Sequence, residues 1–536
     1  MKAWMLTLVS VVVGFGDIDT HFVPEPYDPV IAYARQPTTD PVAVLNRQIE
    51  AGKVRLRFDG EQGYLRSALD ALRVPIESQM VVFSKTSVQA QRINPQNPRT
   101  LFFNDSVVIG WVRGGFIEVA AQDPRQGVIF YVLDQTPVEK PQFTRHNDCL
   151  TCHNSSNAMN VPGMLVRSQF TAPNGTTMPW LGNYVSDHRS PLSERWGGWY
   201  VTGKTGAIRH MGNAVVTNGS NPESPVIDQT LNLASLAGRF DTNAYLSEYS
   251  DIVALMVFEH QMHMMNLLTR IGWQTRFLLR NGNAHDIKMN GLGDSAKDLV
   301  DYMLFVDEEP LLNKVEGTSG FVEKFSDEGP RDKRGRSLRQ FDLEHYLMRY
   351  PCSYMIYSEA FDALPSEAKD AVYHRLWLVL SGAVTGAKYA RLSRTDRQVV
   401  LEILRETKKG LPDYFAGDLP VSHAAIDFPD YQSRTQQWEV FGLHAQNRKT
   451  RKSGSVQTII QGQKPEPMMQ CVSSDEEVGK NSARAGVQLF SSASNVLLEG
   501  TARSAPGGFI EIPVHRDACF FAEGIKEGFR PTGGGK

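Results

Sequence analysis

Leu101-Phe102-Phe103, Val107-Val108-Ile109-Gly110-Trp111-Val112, Phe116-Ile117-Glu118-Val119-Ala120 and Val128-Ile129-Phe130-Tyr131-Val132-Leu133 follow one another closely in the chain. Each run is short, apolar, and rich in β-branched and aromatic residues. Turn formers separate most of them: Asn104-Asp105, Gly114-Gly115 and Asp123-Pro124. Short runs bounded in this way predict strands, and their close spacing predicts an antiparallel meander. Val81-Val82-Phe83 predicts a further strand ahead of them.

On the N-terminal side of the meander, Leu65, Leu69 and Leu72 recur at helical spacing between Tyr64 and Arg73, and Pro75 stops the pattern. On the other side, Trp196 to Val216 predicts a second β region, with Gly203 and Gly206 allowing a turn. The second half reads as helical. Asp251 to Arg270 is one long apolar candidate, and Pro365 to Ser381, closed by Gly382, is another. Ser393 with Asp396 has the form of a capping box ahead of the stripe Val400, Ile403 and Leu404, and Gly410 and Pro412 end that helix. The expected class is α+β, with an antiparallel meander first, a mostly helical second half, and a haem-binding segment between them.

The 536 residues carry 56 Lys+Arg against 59 Asp+Glu, a net charge of −3, with 41% hydrophobic residues. This balance excludes an overall basic nucleic-acid binder and an acidic solvating polymer. Five cysteines are too few for a disulfide scaffold at this length. Met1-Lys2 followed by the apolar run Ala3 to Phe15 is too short to span a bilayer, which takes about 20 helical residues. A secretory signal over residues 1–16 is expected instead, with Gly14 and Gly16 as the small residues near a cleavage point. No later stretch is apolar for long enough to predict a membrane span. The expected organisation is a β-rich region over 17–140, a haem-binding segment with a β-hairpin over 141–220, and a helical region over 221–415. Residues 416–536, rich in Gln, Ser and Gly and ending Gly533-Gly534-Gly535-Lys536, read as a low-complexity flexible tail.

Chemistry concentrates in Cys149-Leu150-Thr151-Cys152-His153. Two thiols three positions apart suit the two vinyl groups of one haem, and the adjacent imidazole then lies under the iron as proximal ligand. One haem c is therefore the expected cofactor, bonded through Cys149 and Cys152 and ligated by His153. Such attachment is normally made in an exported compartment, which agrees with the N-terminus and points to the periplasm. Two other readings compete. A thiol–disulfide pair expects a thioredoxin-like βαβ setting, whereas this pair follows a meander and a Pro-rich stretch. A zinc site would combine Cys149 and Cys152 with His260 and His263, although a spacing of two residues between the histidines is shorter than usual. Cys352 reads as a buried small side chain, and Cys471 and Cys519 lie in the tail.

The occupant of the sixth iron position separates electron transfer from chemistry at the metal. His210 and Met211 stand side by side after the second β region. His260 and His263 share an apolar helical face with Val253, Met256, Met264 and Leu267, and being buried must find partners. His188 and Met164 are weaker candidates. Glu194-Arg195-Trp196-Gly197-Gly198-Trp199-Tyr200 reads as a tight hairpin with core tryptophans, a role compatible with a haem-crevice wall in which Arg195 meets a propionate.

From about Arg55 to Pro412 the chain resembles a family of exported bacterial proteins with a single c-type haem motif, the cytochrome c domain proteins. The resemblance rests on Cys149-Leu150-Thr151-Cys152-His153, Val161-Pro162-Gly163, Arg195-Trp196-Gly197-Gly198-Trp199-Tyr200-Val201-Thr202-Gly203 and His210-Met211-Gly212-Asn213. Glu259-His260-Gln261 and Tyr350-Pro351-Cys352-Ser353-Tyr354 also fit, and the tail after about 415 falls outside it. The resemblance implies a periplasmic haem protein. The resulting expectation is one-electron transfer with periplasmic redox partner proteins and no nucleic acid. The alternative is a haem oxidoreductase, because the mass after the motif exceeds what a small carrier needs. No dinucleotide loop, GxSxG or HExxH supplies a second cofactor or catalytic motif.

Overall fold

The computed structural model describes residues 26–218, 226–281 and 292–417, together with the backbone of five strands between 456 and 522. The expected signal segment, 1–16, lies outside the described residues. The meander is present. β1 (Met80–Val82), β2 (Arg99–Phe103), β3 (Val107–Trp111), β4 (Ile117–Asp123) and β5 (Gly127–Leu133) are each antiparallel to the next. β6 (Thr144–Arg145) extends one edge. A separate hairpin of β7 (Val166–Gln169) and β8 (Asn183–Ser186) follows in the chain. β9 (Trp199–Tyr200) then returns to pair with β1, giving seven strands in the order β6-β5-β4-β3-β2-β1-β9.

The sheet is covered on both faces, which explains why its strands are continuously apolar rather than alternating. The register puts Ile109, Val119, Ala121 and Tyr131 on one face. Here α1 (Pro41–Glu50) and α2 (Leu65–Leu72) pack, and the Tyr131 hydroxyl donates to Asp40, the N-cap of α1, at 2.8 Å. Gly110, Glu118, Ala120, Gln122 and Phe130 share the other face. Against this face lie the one-turn helix α3 (Leu150–His153), which carries the cysteine motif, and α4 (Ile252–Asn281). Phe258 of α4 meets Phe103 at 5.2 Å between ring centres. With 30 residues, α4 runs eleven residues past its expected end at Arg270, for a length of about 45 Å. α5 (Gly293–Met303), α6 (Phe321–Asp327), α7 (Glu359–Asp362), α8 (Ser366–Leu380) and α9 (Arg394–Thr407) complete the helical half. The capping box of α9 forms as its sequence predicts. The fold is α+β, with the antiparallel sheet in the first half and the helices mainly after it.

Two regions differ from expectation. The strands between Trp196 and Val216 do not pair with each other. Trp199–Tyr200 joins β1, and Ala214–Val216 pairs with Ile227–Gln229. Gly203 serves close approach rather than a hairpin turn, since a Cβ there would lie 2.5 Å from Ile252 Cγ2 and 2.7 Å from the Glu316 carbonyl. The C-terminal unit, Ala425–Lys536, carries five strands, Val456–Ile459, Ala485–Ser491, Val496–Ala505, Phe509–Val514 and Ala518–Ala522, in one sheet. Its Gln, Ser and Gly composition masked short β-favouring runs such as Phe509-Ile510-Glu511-Ile512. Among the described residues no helix is long and apolar enough to cross a membrane.

Candidate functional site

A 3-10 turn, Asn147–Cys149, leads directly into α3, so Cys149 and Cys152 are one helical turn apart. Cys149 is partly buried and Cys152 exposed, and both thiols are free. Burial, with Glu118 and Asp148 adding to it, pushes the Cys149 thiol up to about 11. That is the reverse of the depressed thiol that makes a CxxC pair reactive, so the thiol-redox reading gains nothing from this environment.

His153 is oriented through one nitrogen. Its Nδ1 lies 3.0 Å from the carbonyl oxygen of Gly163. A carbonyl only accepts, so Nδ1–H donates and Nε2 keeps its lone pair. Desolvation lowers the pKa of the ring below its ordinary value, which favours the neutral form. The ring rests against Phe130 of β5 at 4.8 Å. The Gly163 amide donates back to the His153 carbonyl at 2.9 Å, closing a loop around Val161-Pro162-Gly163. Asn266 on α4 holds the next residue with both ends of its amide. Its Oδ1 accepts from Met164 N at 3.1 Å, and its Nδ2 donates to Met164 O at 2.7 Å. The Asn266 side chain occupies the space a Cβ on Gly163 would need, so this position requires glycine. Two free thiols beside an imidazole whose far nitrogen is anchored to backbone fit what covalent haem attachment demands of a protein.

None of the four sixth-ligand candidates shares a hydrogen bond or a ring contact with His153. His210 is buried, and its Nδ1 accepts from the Gly212 amide at 3.0 Å, so its proton sits on Nε2 and no lone pair is free. Met211 is buried, with Ser168 Oγ 3.5 Å from its sulfur. His260 uses both nitrogens, Nδ1 at 2.8 Å from His188 Nδ1 and Nε2 at 2.7 Å from Ser353 Oγ. His263 faces Asp187 at 3.7 Å and Arg189 at 3.3 Å, its ring over Tyr302. The zinc reading needed Cys149, Cys152, His260 and His263 to converge. Among the described residues no group of three or more His, Cys, Asp and Glu side chains could hold a metal ion.

His260 belongs instead to a buried polar cluster. Glu259 is fully buried, accepts from Ser186 Oγ at 2.6 Å and pairs with Arg195 at 3.2 Å. Arg195 also donates to the carbonyls of His188 and Ser190, so its charge is spent internally rather than offered to a propionate. Trp196 and Trp199 beside it are core residues as expected, but the run forms no hairpin, since Trp199–Tyr200 pairs with β1. Burial raises the Glu259 carboxyl to about 7 against the opposing pull of Arg195. Burial pushes His260 down to about 3 and His210 down to about 4. Cys352 is also buried.

Phe130 and Asn266 escaped the reading of the sequence as site residues, and so did the pairing of Arg195 with Glu259. Phe130 looked like any strand aromatic, and nothing local marks Asn266 as the anchor of a loop a hundred positions earlier. A buried Glu followed by His on an apolar helix face was the available signal for the cluster. No family model, curated protein or solved structure matches the chain.

Proposed function

We propose that this chain is a periplasmic monohaem c-type protein that transfers single electrons to and from periplasmic redox partners. Cys149 and Cys152 are the attachment thiols and His153 the proximal ligand. One observation carries the reading: His153 donates through Nδ1 to the Gly163 carbonyl and leaves Nε2 free, beside two unpaired thiols. A haem bound there supplies one-electron chemistry at its iron. The chain's own part is positional. Gly163 keeps the imidazole proton on Nδ1, Phe130 fixes the ring plane, and Asn266 stops the loop from moving away from α4.

The engaged donor atoms of His210, Met211, His260 and His263 favour a second reading, a haem oxidoreductase that keeps a position for an external ligand. The two readings share one first test. Full-length protein is produced in a periplasm that attaches haem to thiols, then denatured and examined in alkaline pyridine. The expected result is a c-type spectrum and a mass one haem above the processed polypeptide. A colourless, unmodified polypeptide overturns both. Carbon monoxide or cyanide then separates them: a spectrum unchanged by either supports the closed carrier, and rapid binding supports the oxidoreductase.

A further inference from the structure

A cleft of about 270 Å³ opens between the β4–β5 turn, the C-terminal half of α4 and the segment from α7 to the start of α8. It lies outside the thiol–imidazole site and borders on none of its donor atoms. Its wall is apolar at Pro124, Leu268, Ala363, Leu364 and Pro365. Besides Thr269, three polar side chains interrupt this wall: Gln122, whose buried Oε1 has no partner, and two arginines with donors to spare.

Gln122 is 6% exposed. Its Nε2 donates to Thr269 Oγ1 at 3.2 Å, and that hydroxyl donates onward to the Met265 carbonyl at 2.8 Å. The Thr269 proton is committed, so the amide cannot be turned round, and Gln122 Oε1 is left buried without a donor. An unmade hydrogen bond of this kind is costly unless something supplies the missing group. Arg276 is the second. Its guanidinium meets only backbone oxygens, those of Arg125 and Gly272. Arg125, the third, lines the same cleft, and among the described residues neither arginine is in an ion pair. The nearby Asp123 carboxylate is occupied by the amides of Thr39, Arg125 and Gln126. Desolvation and Arg125 lower the half-buried Arg276 to about 10, with the Asp123 carboxylate pulling the other way.

We infer that this cleft is a binding site for a small carboxylate carried on an apolar body with a hydroxyl or amine donor. The carboxylate pairs with Arg276 and Arg125, the apolar body lies along Leu268 and Leu364, and the donor reaches Gln122 Oε1. Charge-assisted pairing to a guanidinium gives such a site its strength, and the orphan amide gives it selectivity. The volume falls just below the range of drug-sized ligand sites, about 300–1,000 Å³, so the ligand is of single-ring size. The inference does not depend on haem attachment.

The test is calorimetric titration of the full chain with 4-hydroxybenzoate, benzoate and phenol. The expected order is 4-hydroxybenzoate tightest, benzoate weaker by about tenfold for want of the donor, and phenol weaker still for want of the anion. Arg276→Met should weaken 4-hydroxybenzoate at least tenfold. Ala363→Phe, which fills the cleft and removes no polar group, should abolish binding with the fold intact by circular dichroism. Absence of any heat at millimolar 4-hydroxybenzoate overturns the proposal. So does binding that survives both variants, and so does equal affinity for benzoate. Failure here leaves the pyridine spectrum unaffected, so the two readings fall separately.

Discussion

His153, half-buried, and His260, fully buried, are imidazoles on the same side of one sheet, yet their nitrogens are used in opposite ways. His153 spends one nitrogen on the Gly163 carbonyl and keeps the other. His260 spends both, on His188 and on Ser353. The first arrangement fixes a ring and leaves a lone pair available, whereas the second satisfies a core. Spacing beside two thiols singled out His153, while His260 was a candidate for the opposite position, which its two committed nitrogens close. The same contrast runs through their neighbours. The motif's two thiols are free and at least one is exposed, while Arg195 and Glu259 neutralise each other out of reach of solvent.

The sharpest way to break this contrast is to exchange the roles. Cys149→Ser with Cys152→Ser should remove at least tenfold of the haem retained after denaturation, whereas His260→Phe should leave attachment per folded molecule unchanged. Equal loss in both, read from pyridine spectra, would erase the distinction. Acid comes next in size. His210 and His260 have folded-state values below their unfolded value of about 6.5, so their contribution to stability is present above that value. It is lost as pH falls towards 4 and then 3. The cost is on the order of 1.4 kcal/mol per pH unit for each imidazole that stays neutral in the fold. Glu259 has the opposite sign: its raised value gives stability below about 4.5 that is lost as pH climbs through about 7. Urea midpoints measured from pH 8 to pH 4 should therefore fall mainly on the acid side, since several imidazoles oppose one carboxyl.

Glu259→Leu strands the Arg195 charge in the core and should cost about 3–5 kcal/mol in urea unfolding. A loss under about 1 kcal/mol would mean that Arg195 finds water, and the cluster would not be sealed as described. His260→Phe leaves His188 Nδ1 without a partner, at about 1–3 kcal/mol, while Ser353 Oγ keeps the Met355 amide. Ser393→Ala, remote from both regions, removes only the cap of α9 and should cost about 1 kcal/mol. It calibrates the others.

The meander was legible because strand and turn chemistry alternate over short distances, and local rules act at that range. Helices α2, α8 and α9 were legible for the same reason, through their stripes, caps and terminating Pro or Gly residues. The pairing of Trp199–Tyr200 with β1, more than a hundred positions earlier, was not, because register across such a separation is chosen by packing rather than by local propensity. The cleft stayed hidden likewise. Gln122, Arg276 and Leu364 have no sequence relation, and only the crossing of α4 over the sheet gathers them.

The sequence by itself determined the α+β class and the placing of Cys149, Cys152 and His153 within about one helical turn, because spacing is a covalent property of the chain. Which nitrogen of His153 is free, which histidines are spent in the core, and which arginines line the cleft were decided only by tertiary structure. Those answers depend on the hydrogen-bond partner that a distant segment brings into reach, and a buried polar group takes whatever partner the packing supplies.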